Sequence, residues 1–242
     1  GFSYSILSAV GDEMDDGFLV PGLPDGMAAF PGPGGKVILI RNHELDPSHI
    51  AIGPFGPKFE RLSLLARDRA YDFGRGTTTS LGGTTNILYN PATGKIERQV
   101  LSLAGTENNC AGGPTPWGTW ISCEETTNCR DSRRECDHGY PFEVPASFDD
   151  LPVEPRPIKA MGRFRREAIA VDPRNGIVYQ SEDLADGLLY RFIPNRPSGP
   201  GKPCDWSGGG RLQALAVLDR EGLNTSNRQK KGAPFSPPIP QA

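Results

Sequence analysis

Three stretches of this sequence carry acidic or thiol side chains at matching places: 25–44 (DGMAAFPGPGGKVILIRNHE), 110–125 (CAGGPTPWGTWISCEE) and 167–183 (EAIAVDPRNGIVYQSED). Each runs from a polar residue through a short small or apolar strand, a Gly/Pro turn and a second apolar strand to an acidic end. In an antiparallel hairpin the start of the first strand and the end of the second lie at the same edge. Asp25 is therefore expected near Glu44, Cys110 near Glu124 and Glu125, and Glu167 near Glu182 and Asp183. A single acid at a strand end is ordinarily a solvated loop residue; three pairs in register argue otherwise. Like charges gathered this closely raise one another's pKa and repel, so such a cluster persists when cations neutralise it. The chemistry indicated is metal binding. A thiolate among carboxylates selects iron, zinc or copper over calcium, so mixed oxygen and sulfur ligands suggest mixed metals.

The elements that must position these residues are short strands. Apolar or alternating runs recur at 4–10, 27–30, 37–41, 85–89, 96–103, 117–123, 140–144, 168–171, 177–181 and 188–193, with a further candidate at 212–218. Turn sequences NPATGK at 90–95 and DPRNGI at 172–177 read as hairpins, each with Pro early and Gly late. Only 59–66 (FERLSLLA) has a weak helical pattern. The two turns lie about two units of roughly 40–45 residues apart, the length of a four-stranded propeller blade. The fold class expected is all-β, a β-propeller, because a propeller gathers the same end of every blade around one central channel. The chain would form a single propeller domain over 1–242, with 195–242 a proline- and glycine-rich, partly irregular segment.

Composition supports this reading. With 30 glycines and 24 prolines in 242 residues, the chain is built for turns and short strands. No apolar run approaches the roughly 18 residues of a membrane helix, and a net charge of -3 gives no footprint for nucleic acid or anionic lipid. Of five cysteines, Cys129 and Cys136 flank a charged stretch (CRDSRREC), where a local disulfide would point to an oxidising compartment. A zinc site from Cys123, Cys129, Cys136 and His138 competes with it but lacks the Cys-x-x-Cys form. The acidic run Asp12, Glu13, Asp15 and Asp16 reads as an exposed turn, His43 and His49 as polar loop residues, and Asn224-Thr225-Ser226 matches a glycosylation acceptor.

The stretches RNHE (41–44), GGTTN (82–86), SLAGTENNCAGGPTPWGTWISCEE (102–125), HGYPFEVP (138–145), GRFRREAIAVDP (162–173) and VYQSEDLADGLLYRFIP (178–194) resemble the PhoX-type alkaline phosphatases. The block around Cys110 is the most specific. The resemblance implies an exported, periplasmic or secreted enzyme, monomeric when complete. It would be a roughly six-bladed propeller that hydrolyses small-molecule phosphomonoesters with a calcium and iron cluster. It also implies that Cys110 bridges an iron pair and, with Glu167, takes part in catalysis. Metal ligands would come from Glu44, Cys110, Glu124 or Glu125, Glu167, and Glu182 or Asp183. This chain looks like the amino-terminal part, supplying about three to five blades at the usual blade length, with the carboxy-terminal part in further sequence or in a separate chain.

The resemblance implies metal-assisted phosphoryl transfer, and no Gly-x-Ser-x-Gly elbow, Walker A loop or Ser-His-Asp order is present. Arg41, Arg163, Arg165 and Arg166 are candidates for positive charge near the site. Two other classes compete: a calcium-dependent lactonase-like propeller hydrolase, which has no use for a thiolate, and a non-catalytic calcium-binding propeller module.

Overall fold

The computed structural model describes residues 1–75, 79–197, 199–218 and 220. Its eleven strands are β1 (Pro24–Pro31), β2 (Val37–His43), β3 (Gly82–Asn90), β4 (Lys95–Thr106), β5 (Asn109–Pro114), β6 (Thr119–Glu124), β7 (Pro141–Pro145), β8 (Arg166–Val171), β9 (Val178–Glu182), β10 (Leu189–Pro194) and β11 (Gly210–Ala214). They form three antiparallel sheets, β1 to β4, β5 to β7 and β8 to β11, in each of which neighbours in sequence are neighbours in space. Among the described residues helix is confined to 3-10 turns of three residues, and none is long and apolar enough to cross a membrane. Among the described residues no sheet closes on itself, and no strand ladder joins one sheet to the next.

The sheets are held together by their apolar faces. Phe30, Ile38, Ile40 and Leu103 of the first sheet pack on Trp120, Phe142 and Val144 of the second. Ile121 and Cys123 of the second pack in turn on Ile169, Val178 and Phe192 of the third. A third cluster of Met14, Phe18, Leu45, Phe55, Leu81 and Leu101 covers the remaining side of the first sheet. Strands buried on both sides in this way read as continuous apolar runs.

The turns at 90–95 and 172–177 join β3 to β4 and β8 to β9 as expected. Three expectations need correction. Residues 4–10 form no strand: Phe2, Tyr4 and Ile6 lie exposed, and an alternating run without a partner strand gains no ladder hydrogen bonds. The run at 59–66 contributes one 3-10 turn, Leu62–Leu64. The acidic run is exposed at Asp12, Glu13 and Asp15 and turns at 15–16 as expected, and Asp15 and Asp16 accept hydrogen bonds from the backbone of Gln99 and Leu101 at the outer edge of β4. The segment beginning at 195 contributes β11, two residues ahead of the expected start. The acceptor motif at Asn224 lies outside the described residues.

Candidate metal centre

The three hairpins that carry the acids are β1-β2, β5-β6 and β8-β9. Their registers repeat one another: Pro24 pairs with His43, Asn109 with Glu124 and Arg166 with Glu182. Each first strand has a register break just after that pair, between Pro24 and Met27, Asn109 and Gly112, and Arg166 and Ile169. A bulge re-aims the side chain that follows it. The residues re-aimed are Asp25, Cys110 and Glu167, and the residues leaving the second strands are Glu44, Glu125 and Asp183. The three hairpins thus present the same two positions at the same edge, and β5 packs directly against both β1 and β8. Two glycines permit that approach. A Cβ on Gly26 would stand 2.7 Å from Ala111 Cα, and one on Gly113 would stand 2.2 Å from the carbonyl oxygen of Ile169.

At the centre, ligand atoms of Cys110, Glu125 and Glu167 lie within 4.8 Å of one another. Cys110 is 2% exposed, with its thiol 3.5 Å from the carbonyl oxygens of Arg166 and Glu167. Burial, then the Glu167 charge, pushes that thiol far above its usual range. The Glu167 carboxyl is raised by burial and by the charges of Glu125, Asp183 and Asp25, against a hydrogen bond from Cys110 that lowers it. Glu44 is raised by burial and by Asp25, Glu125 and Glu167. One thiol and five carboxyls therefore share a single field. Arg165 answers part of it, its Nη2 standing 2.5 Å from Glu125 Oε1. The donor set fits a bound cation: it offers sulfur and oxygen together, and a positive ion would reverse the penalty that now keeps the thiol protonated.

Two side chains hold the hairpins in place. Asn42, fully buried in β2, donates to the carbonyls of Cys110 and Ala111 and accepts from Trp120 Nε1 and Ser122 Oγ. Arg166, also fully buried, donates to Gln180 Oε1 and to the carbonyls of Gly139, Met161 and Gly162, with its guanidinium over the Phe164 ring. Neither signalled its role in the sequence. Arg166 donates to none of the cluster's carboxylates, though its charge acts on Cys110 from inside the body; it ties down the strand that carries Glu167.

Register also decides between the paired acids that sequence left open. Glu124 and Glu182 occupy the position of His43, Glu124 fully buried and Glu182 half-buried. Glu124 Oε1 accepts from Glu107 N and lies 2.6 Å from His138 Nδ1, while Oε2 accepts from Gly139 N and Tyr140 N. Glu182 Oε2 accepts from Leu188 N and Tyr190 Oη. Neither joins the thiol.

His138 places its other nitrogen 3.2 Å from Asp72 Oδ2. Burial opposes a charge there, but Glu124, Asp72 and Glu107 together raise the imidazole to about 10. With both nitrogens so engaged, His138 offers nothing to a zinc ion. Cys129 and Cys136 are free thiols: Arg163 Nη2 lies 3.3 Å from the first, and the second donates to Tyr71 O. Neither the disulfide nor the zinc site is formed. Arg163 serves the same segment, donating to the carbonyls of Thr127, Asn128 and His138. His43 bonds Gly22 O and Thr85 Oγ1, and burial and the Arg41 charge lower it to about 3; His49 pairs with Asp46.

The family model described as Alkaline phosphatase PhoX matches residues 1–232. A solved structure described as Pseudomonas fluorescens PhoX in complex with vanadate, a transition state analogue, is similar with a TM-score of 0.56 and 17% identity, covering 87% of this chain and 51% of that one. At that identity the likeness concerns the fold, and the chain spans about half the length of this solved relative. No curated protein matches the chain.

Proposed function

This chain belongs to the PhoX alkaline phosphatase family, and from that premise we propose that it is the amino-terminal part of a metal-dependent phosphomonoesterase. Its three sheets would be blades of one propeller domain whose remaining blades come from further chain or from a separate polypeptide, the whole acting as a monomer. The observation that carries the reading is the convergence of Cys110, Glu125 and Glu167 from hairpins far apart in sequence.

Cys110, Glu125 and Glu167, with Glu44, Asp25 and Asp183 around them, would hold calcium and iron. Once bound, these ions would supply positive charge to the phosphoryl oxygens and electrophilic assistance to in-line displacement. The chain's own part is binding and orientation. Cys110, hydrogen-bonded to Glu167, would bind as the thiolate, its proton leaving to solvent. Glu44 and Glu167, raised by burial and mutual repulsion, release their protons to the same end. Arg165, exposed at the mouth beside Glu125, offers a planar guanidinium suited to phosphate oxygens. The family assignment supports an exported, periplasmic or secreted setting.

A lactonase-type calcium site has no role for the Cys110 thiol. The test is hydrolysis of p-nitrophenyl phosphate by the protein in its complete form. Activity is expected to vanish on chelation and in Cys110→Ala. Activity that survives in the variant would remove the thiol from the mechanism, and hydrolysis of a lactone instead would replace the reading.

A further inference from the structure

Side chains alternate across a strand, so while Asn42 of β2 faces β5, Arg41 faces the opposite side of the first sheet. There it borders a cavity of about 360 Å³ walled by Val10, Val20, Leu23, Pro24 and Ile52. The other enclosed arginines are answered: Arg61 by Glu13, Arg69 by Asp150, Arg134 by Glu107, and Arg166 by carbonyl oxygens. Arg41 is not. Among the described residues its one hydrogen bond runs from Nη2 to Ser8 Oγ at 3.2 Å, no carboxylate lies within ion-pair distance, and its buried Nε has no acceptor. Ser8 Oγ already accepts from Gln99 Nε2 as well.

A guanidinium taken out of water without a counter-charge is costly, and burial accordingly depresses its proton affinity. The group that offsets the cost has two coplanar oxygens facing the fork. We propose that this cavity binds a short aliphatic carboxylate, with its oxygens on Arg41 Nε and Nη2 and its chain against Val10, Val20 and Ile52. A carboxylate matches the single positive charge. A phosphate dianion would bring a second negative charge against a wall of Val, Pro and Ile with nothing to meet it. The site lies on the far side of β2 from Cys110 and does not depend on the phosphatase reading.

The probe is hexanoate, titrated by calorimetry into the purified protein at neutral pH, with inorganic phosphate and 1-hexanol as comparators. Saturable binding of hexanoate is expected, with neither comparator binding and with affinity reduced about tenfold or more in Arg41→Gln. Val10→Phe narrows the cavity from a half-exposed position and leaves Arg41 in place; it is expected to weaken hexanoate to a similar degree without lowering the melting temperature. Absence of saturable hexanoate binding, phosphate binding of equal strength, or hexanoate affinity unchanged in Val10→Phe would each overturn the proposal.

Discussion

Glu44 and Glu167 are stabilised in their protonated forms, and the direction of that shift sets how the metal-free protein responds to pH. A carboxyl whose folded pKa is raised contributes stability that is complete below its unfolded value and lost as pH rises through the folded one. Without cations the protein should therefore become less stable as pH climbs out of the carboxylate range, and added calcium should restore what is lost. Removing one charge should do part of the same work. Glu44→Gln is expected to raise the melting temperature in chelator at neutral pH by about 2–4 °C and to reduce the gain conferred by calcium, both read by thermal melts. A melting temperature that falls in chelator would mean that Glu44 is not repelled by its neighbours.

At the scale of elements, the site depends on how close β5 comes to β8. Gly113→Ala would set a methyl group 2.2 Å from Ile169 O. The two strands must then separate where one carries Cys110 and the other Glu167. A loss of about 1–3 kcal/mol in urea unfolding is expected, with weaker metal retention. The segment between β6 and β7 has its own lock in His138. Its imidazole is raised to about 10 by Glu124, Asp72 and Glu107 against the burial penalty. Its contribution is therefore complete below the unfolded value of about 6.5 and lost as pH rises through about 10. His138→Gln should flatten the fall in unfolding free energy between pH 7 and 10; an unchanged slope would assign that fall to other groups.

Much of this level was legible in sequence. The strands, the turns at 90–95 and 172–177 and the pairing of hairpin ends follow from apolar runs and turn chemistry. The choice of Glu125 over Glu124 and of Asp183 over Glu182 did not. β6 (TWISCE) is buried on both sides and shows no alternation that would fix its phase, and the bulges before Cys110 and Glu167 leave no residue signature of their own. The lock on His138 joins Asp72 and Glu124, the former 66 residues away in sequence. Residues 4–10 show the converse case, an alternation that is present but has no partner strand to pair with.

For the whole molecule, three meandering sheets stacked through shared cores bring the same edge of three hairpins together. The distance in sequence between Asp25 and Asp183 is thereby removed, and a cluster of thiol and carboxyl groups is assembled that no one hairpin could supply. Tyr179, Leu189 and Leu212 of the outer sheet, and Leu215 just after it, are exposed. The centre itself is open to a direct measurement: iron and calcium content by plasma mass spectrometry of the purified protein and of Cys110→Ser. The account predicts both elements in the wild type and selective loss of iron from the variant. A wild type that retains neither element, or a variant whose iron is undiminished, would contradict it.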